Sequence, residues 1–217
     1  MTQGIAAPSH DCGLCPRLVA YRLANRAANP GWFNGPVPSF GPLDAKFLVV
    51  GMAPGVTGAN RTGRPFTGDF CGALLYETLI KFGLARGIYQ ADPDDGVELL
   101  NTRITNAARC VPPQNKLETA EINTCNRFLA AELAALPRLR VILSLGVDSH
   151  KGVLKALGLR ASRCAFAHGA FHTLPDGRIL ANSYHVSRYN TNTRRLTTPM
   201  FEDVVRGVVQ ILSRNRN

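Results

Sequence analysis

Phe47-Leu48-Val49-Val50-Gly51-Met52-Ala53-Pro54-Gly55 decides the fold. The apolar run from Phe47 to Val50 has no polar residue in alternation, so neither face of a strand built from it can be wet. Such a run, closed by glycine, predicts a parallel strand buried on both faces. A Gly-rich loop follows, from Ala53 to Gly68. Two more runs read the same way: Thr102 to Ala108, and Arg140 to Leu145 closed by Gly146. Ala170–Leu174 and Arg178–Ser183 flank Pro175-Asp176-Gly177, a turn signal between strands. Helical spacing of apolar residues marks Cys71–Leu84 (Leu74, Leu75, Leu79, Phe82). It also marks Leu117–Leu136, Asp148–Leu157 and a last helix from about Pro199 to Ser213. Pro16–Ala28 reads as a short helix. Residues 86–101 are acidic and irregular and read as loop with a short helix. Alternating β and α elements predict a mostly parallel sheet covered on both faces by helices.

Composition bounds the rest. The chain has 217 residues, 45% of them hydrophobic, enough for one substantial core and hence one domain. Lys and Arg number 25 against 15 Asp and Glu, a formal charge of +10 that favours a polyanionic partner. Met1 to Asp11 has no basic run followed by an apolar core, so it does not read as a secretory signal. No apolar stretch reaches the roughly 20 residues of a membrane-spanning helix. The expectation is a cytoplasmic protein with reduced thiols. Six cysteines there read as metal ligands or buried apolar residues rather than disulfides.

In a sheet of this kind, ligands bind outside the carboxyl ends of the strands. Three phrases fall on that rim: Gly51 to Gly55; Gly63-Arg64-Pro65-Phe66-Thr67-Gly68-Asp69; and His185-Val186-Ser187-Arg188-Tyr189-Asn190. Asn106, near the end of the second strand, joins them. Each has a plain alternative. Phe66 could plug the core, Asn106 could turn a strand end, and Asp69 could cap the helix that follows it. The arginines on this rim (Arg61, Arg64, Arg188, Arg194, Arg195) are candidate phosphate contacts or solvated surface charge.

Cys12 and Cys15 form a C-x2-C pair, and 14 residues separate Cys110 from Cys125. One tight pair plus two dispersed thiols suits an iron–sulfur cluster at least as well as zinc. Four buried apolar cysteines is the other reading. Cys71 and Cys164 have no partner nearby in sequence and read as buried residues.

The first and last rim phrases resemble the two signature motifs of the uracil-DNA glycosylase superfamily. Ala53 in the first points to family 5, the type B branch. The match runs from about Cys12 to Val209 with the motifs in family order. The resemblance implies a three-layer α/β/α sandwich around a mostly parallel four-stranded sheet. It implies one domain over residues 1–217, with an N-terminal arm to about residue 45 tied in by a structural [4Fe–4S] cluster on Cys12, Cys15, Cys110 and Cys125. Cys12-Gly13-Leu14-Cys15 and Asn106-Ala107-Ala108-Arg109-Cys110 look like that family's cysteine phrases.

By the same resemblance, the chain hydrolyses the N-glycosidic bond of uracil in DNA and leaves an abasic site. Family 5 enzymes accept other deaminated bases, hypoxanthine among them. Such chemistry needs a flipped base, a stacking face, donors for the base and a carboxylate or water on the sugar side. Phe66 is matched to the stacking residue, with Gly51, Met52 and Ala53 in the base-binding loop. Asn106 is matched to the residue that reads the uracil edge, and its amide offers both donor and acceptor. His185 is matched to the donor for the departing base, and Asp69 to the carboxylate. Arg61, Arg64, Ser187, Arg188, Tyr189 and Asn190 are expected on the DNA, with Arg188 and Tyr189 as wedges into the gap left by the flipped base.

No lysine is positioned by motif for Schiff-base chemistry. The expectation is therefore a monofunctional, monomeric enzyme of a bacterial or archaeal cytoplasm. The alternatives are a family 4 enzyme, which carries an acidic residue where Ala53 stands, and a non-catalytic iron–sulfur DNA-binding protein. A Rossmann-like nucleotide binder lacks its Gly-x-Gly-x-x-Gly phrase here.

Overall fold

The structure is a computed structural model that describes residues 6–214. The first five residues of the Met1–Asp11 stretch lie outside the described residues. Strands β1 (Phe47–Gly51), β4 (Thr102–Asn106), β5 (Val141–Leu145) and β7 (Ile179–Ser183) lie parallel, in the order β4-β1-β5-β7. A fifth strand, β6 (Phe171–Thr173), adds antiparallel to β7. The expected four-stranded sheet is thus five-stranded. The extra strand is the first arm of the hairpin around Pro175-Asp176-Gly177, which pairs locally and needs no crossover. No helix among the described residues is long and apolar enough to cross a membrane.

All five residues of β1 and of β5 are buried, as an unbroken apolar run requires. Successive side chains point to opposite faces, so one strand feeds two cores. Phe47 and Val49 pack with α3 (Phe70–Lys81) and α7 (Thr198–Ser213) through Leu75, Leu79, Phe201 and Val205. Leu48 and Val50 pack with α4 (Thr119–Ala135) and α5 (Val147–Ala156) through Leu129, Leu133 and Val153. Each such buried side chain contributes about 1.5–3 kcal/mol relative to exposure. The three layers follow directly from this alternation.

The N-terminal arm carries α1 (Pro16–Ala28) and then covers the outer edge of the sheet. Phe40 makes a backbone bridge to Ile104 of β4, so the edge strand is not left open. Beside it, the fully buried Glu132 accepts from Arg103, Arg109 and Thr105. Arg109 also donates to Ser39 of the arm. Residues 86–101 are not the loop with a short helix that their composition suggested. Their ends form a two-stranded ribbon, β2 (Ala85–Arg86) against β3 (Glu98–Leu99). Short helices α2 (Ala59–Thr62) and α6 (Arg188–Asn192) complete the set.

Candidate active site and cysteine cluster

The register Gly51↔Asn106 brings the loops after β1 and β4 side by side at one rim. Those loops, the start of α3 and the segment after β7 enclose a hollow of about 600 Å³. Asp69, Asn106, Phe66 and His185 all line it, with Met52 and Ala53 on the wall. Residues far apart in sequence therefore meet as expected. Gly51 does not line the hollow but lies beneath it: a Cβ there would overlap the Asn106 Oδ1 and the Phe66 ring. Its lack of a side chain lets the ring and the amide converge. The Phe66 ring lies 6.1 Å from the His185 ring, with 35° between planes.

Asp69 caps a helix and also lines the hollow. Its Oδ1 accepts from the Cys71 amide at 3.0 Å, which caps α3. Its Oδ2 turns the other way, over Gly55 and Gly58, where a Cβ at Gly58 would displace it. One oxygen holds the carboxylate in place and the other lies beside Gly55, which lines the hollow with Asp69. Burial raises the Asp69 pKa, and the Cys71 hydrogen bonds only partly offset this. A carboxylate with a raised pKa is a better proton acceptor. Burial lowers the pKa of His185, so its imidazole is neutral at pH 7. Asn190 Nδ2 donates to the His185 carbonyl at 2.8 Å and fixes the backbone from which the ring projects.

Phe66 sits at φ 53°, in the left-handed region that a bulky residue enters at a cost of roughly 1–3 kcal/mol. Around it, one expected DNA contact fails. Arg64 is buried, and both its terminal nitrogens pair with Asp95 at 2.7 and 2.8 Å. Asp95 is 31 residues downstream, and its side chain is fully buried. Arg64 therefore faces the protein and not a phosphate, because this tertiary partner claims the fork of the guanidinium.

The other rim residues divide. Arg61 is exposed and donates to the Gly68 carbonyl. Ser187 caps α6 by accepting from Asn190. Arg188 and Tyr189 project outward: Tyr189 is 71% exposed, and the Arg188 guanidinium lies 5.2 Å from the Phe70 ring. Arg194 and Arg195 are exposed, with Arg195 over Tyr184.

Sequence reasoning missed part of the wall. Lys116, Leu117, Ile122, Cys71 and Asp148 also line the hollow. The segment before α4 carries no motif of its own. It is held by Arg17 of α1, which donates to the Lys116 carbonyl and to both oxygens of Glu121. The adjacent Pro112-Pro113 was the only local sign of a fixed loop.

Cys12, Cys15, Cys110 and Cys125 line one small hollow of their own, although Cys12 and Cys125 stand over 100 residues apart. Two guanidinium groups share its wall. Arg22 is buried and reaches Cys110 Sγ at 3.9 Å, and its Nε has no hydrogen-bond partner. Arg109 is buried too, with its amide on Cys125 Sγ at 3.4 Å and its Nε unpartnered. Burial raises the Cys125 thiol, and burial plus the nearby Cys125 push Cys110 up to about 12. Among the described residues, no three His, Cys, Asp or Glu side chains converge as they would on a single ion. Cys164 is buried in the core against α5, as read; Cys71 is the exception noted above.

Residues 38–208 match the family model described as the uracil DNA glycosylase superfamily. A type-5 uracil-DNA glycosylase of Thermus thermophilus is 46% identical over 200 residues, covering 89% of this chain and 90% of the relative. A type-5 enzyme of Pyrobaculum aerophilum is 40% identical, covering 90% and 87%. The type-4 enzyme of the same organism is more distant, 31% identical over 170 residues, covering 78% and 71%. With the rim motifs meeting in one hollow and these relatives matched nearly end to end, the chain belongs to the uracil-DNA glycosylase superfamily, on its type-5 side.

Proposed function

We propose that this chain is a monofunctional DNA repair glycosylase that hydrolyses the N-glycosidic bond of uracil in DNA and leaves an abasic site. The observation that carries this reading is the meeting of Asp69, Asn106, Phe66 and His185 around one hollow. The flipped base stacks on Phe66. The Asn106 amide pairs with its O4 and N3–H edge. The neutral His185 donates to O2, where charge gathers as the bond to C1′ breaks. The bonding electron pair leaves with the base nitrogen. Asp69 stands on the sugar side, where it takes a proton from the attacking water as the water oxygen bonds to C1′, and its charge steadies the sugar cation.

The wall formed by Met52 and Ala53 offers no side-chain polar group to read the base, and about 600 Å³ leaves room for a purine. Both support a range that includes hypoxanthine. Arg61, Arg188 and Tyr189 lie on the exposed rim, where duplex DNA would dock. In this reading the enzyme acts as a monomer, one domain with its arm. A DNA substrate and six free cysteines support work in the cytoplasm.

The four cysteines would hold a [4Fe–4S] cluster. The donor set fits: four thiols around one hollow, with two buried guanidiniums to balance the thiolate charge. When bound, the cluster supplies a rigid cross-link and no redox step. Arg17, two residues after Cys15, then passes that rigidity to the Lys116 wall of the base hollow.

The test is base release from an end-labelled duplex with one uracil opposite guanine, read before and after alkali. One alkali-dependent band is the expected result. Cleavage without alkali would replace the monofunctional reading with a lyase, for which Lys116 on the wall is the available amine. An intact strand from folded, iron-loaded protein would favour the DNA-binding alternative.

A further inference from the structure

Phe66 is held from behind by a segment that no motif singles out. The Tyr89 hydroxyl donates to the Phe66 carbonyl at 3.1 Å. The Tyr76 hydroxyl donates to the neighbouring Pro65 carbonyl at 2.8 Å. Arg64 Nε donates to Thr67 Oγ1 at 2.7 Å, and Thr67 in turn donates to Pro65. The three residues Pro65, Phe66 and Thr67 thus have their backbone or side chain pinned on the side away from the hollow. Behind them, Tyr76 and Tyr89 stack at 4.7 Å with 12° between planes, and the Arg64 guanidinium lies over both rings. Arg64 is itself fixed by Asp95 and the Pro93 carbonyl. Asp95 also accepts from the amides of Gln90 and Val97, which folds residues 90–97 around its carboxylate.

A glycine on α3 makes room for this contact. A Cβ at Gly72 would overlap both the Tyr89 hydroxyl and the Phe66 carbonyl. The hydrogen bond between them passes across the helix at the one place where the helix presents no side chain. Gly72 is the third residue of α3, and its lack of a side chain matches the space that the bond needs.

We propose that the acidic segment at 86–101 is a brace for the stacking face of the base hollow, with Tyr89 and Asp95 as positioning residues for Phe66. The Phe66 backbone is in a conformation that a bulky residue does not keep unaided. The hydrogen bonds from Tyr89 and Tyr76, and the Arg64–Asp95 pair behind them, hold it there with the ring presented to the flipped base. Without them the loop relaxes, and the ring leaves the plane on which the base stacks. This rests on the reading of Phe66 as the stacking residue.

The test uses the full-length protein and four variants: Tyr89→Phe, Gly72→Ala, Asp95→Asn and, as reference, Phe66→Ala. Single-turnover release of uracil is measured beside affinity for duplex DNA that already carries an abasic site. Stacking on an aromatic face accounts for about tenfold or more per base. Tyr89→Phe and Gly72→Ala are expected to slow release about tenfold, with Asp95→Asn at least as slow. Affinity for abasic DNA should stay within twofold, because that DNA has no base to stack. A merely structural role would move melting temperature or both functional readouts together. Gly72→Ala removes a helix glycine, so slower release at an unchanged or higher melting temperature cannot be assigned to unfolding. Wild-type release rates in both folded Tyr89→Phe and folded Gly72→Ala overturn the brace. Wild-type release in Phe66→Ala overturns instead the stacking role on which it rests.

Discussion

Two hollows with opposite characters meet within a five-residue stretch of chain, Asn106 to Cys110. Asn106, at the end of β4, faces the base hollow, while Arg109 and Cys110, a few residues on, face the cysteine hollow. In the base hollow three of the four converging residues are held by a further partner inside the protein. Asp69 is tied by the Cys71 amide, the Phe66 carbonyl by Tyr89, and the His185 carbonyl by Asn190. In the cysteine hollow the buried Nε atoms of Arg22 and Arg109 have no protein partner, and burial raises the Cys15, Cys110 and Cys125 thiols. The first site is rigid through hydrogen bonds that the chain makes with itself. The second is a donor set whose charges and lone pairs suit a bound group. The difference says where each kind of substitution should hurt: chemistry at the first, cohesion of the arm at the second.

The largest expected effect separates chemistry from stability. Asp69→Asn should lower base release by about 10³-fold, within the usual range for a lost acid–base group. Asparagine still accepts from Cys71, so the α3 cap persists. The stability effect has the opposite sign. Asp69 has a folded pKa raised by burial, so the favourable linkage is present below the unfolded value of 3.8 and is lost as pH rises through the folded pKa. At pH 7 the ionised, buried carboxylate is a net cost. The variant should therefore melt no lower than the parent. A lower melting temperature at pH 7 would break the view of Asp69 as a strained functional group. The same shift puts the acid limb of base release above the ordinary aspartate range in a pH–rate profile.

His185→Ala should cost about 10²-fold in release, the usual loss of one charge-stabilising donor. It should leave the affinity for abasic DNA nearly intact. Because burial lowers the His185 pKa, the parent enzyme should show no activity loss between pH 8 and pH 6.5 from this ring. A limb at 6.5 or above would mean that the imidazolium is the working form or that His185 is wetter than its surroundings indicate.

At the other hollow, the proposed cluster predicts that Cys110→Ser removes bound iron and the brown colour it would give. The substitution should also lower the melting temperature by about 10 °C, equivalent to a few kcal/mol in a chain of this length. Base release per folded molecule should fall much less than in Asp69→Asn. A loss equal to that of Asp69→Asn would erase the distinction between the two regions.

The same division explains what the sequence could reveal. The sheet was legible because β1 and β5 are buried on both faces, which writes an unbroken apolar run into the chain. Asp69, Asn106 and His185 were legible because they end elements at fixed offsets in recognisable phrases. Arg64 was misread because its partner, Asp95, lies in an acidic stretch with no motif, and nothing local joins them. The Lys116 wall escaped notice because Arg17, about 100 residues earlier, positions it. The turned backbone of Phe66 left no local trace, because its support is entirely tertiary. The count of four strands came from the resemblance, although the residues themselves marked both arms of the hairpin around Pro175-Asp176-Gly177.

Asp95 offers the smallest effect and the finest probe of the base hollow. Burial raises its pKa, but Arg64 and the amides of Gln90 and Val97 outweigh that and hold it at about 2. For a carboxylate with a depressed folded pKa, the stability it contributes is present above the unfolded value of 3.8 and is lost as pH falls toward about 2. The difference corresponds to no more than about 2 kcal/mol once solvent screening is counted. Chemical denaturation of the parent between pH 5 and pH 2 should show this loss, and Asp95→Asn should show a shallower slope over the same window. Near pH 2 Asp95 takes up its proton in the folded state and the Arg64 fork loses its charged partner, while the apolar cores on either face of the sheet carry no group that titrates in this range. Base release from acid-treated protein returned to pH 7 should therefore recover fully. Loss of acid stability with no change of slope in Asp95→Asn would move the acid-labile point away from the base hollow, to Glu132 beside Arg109, whose pKa is lowered too.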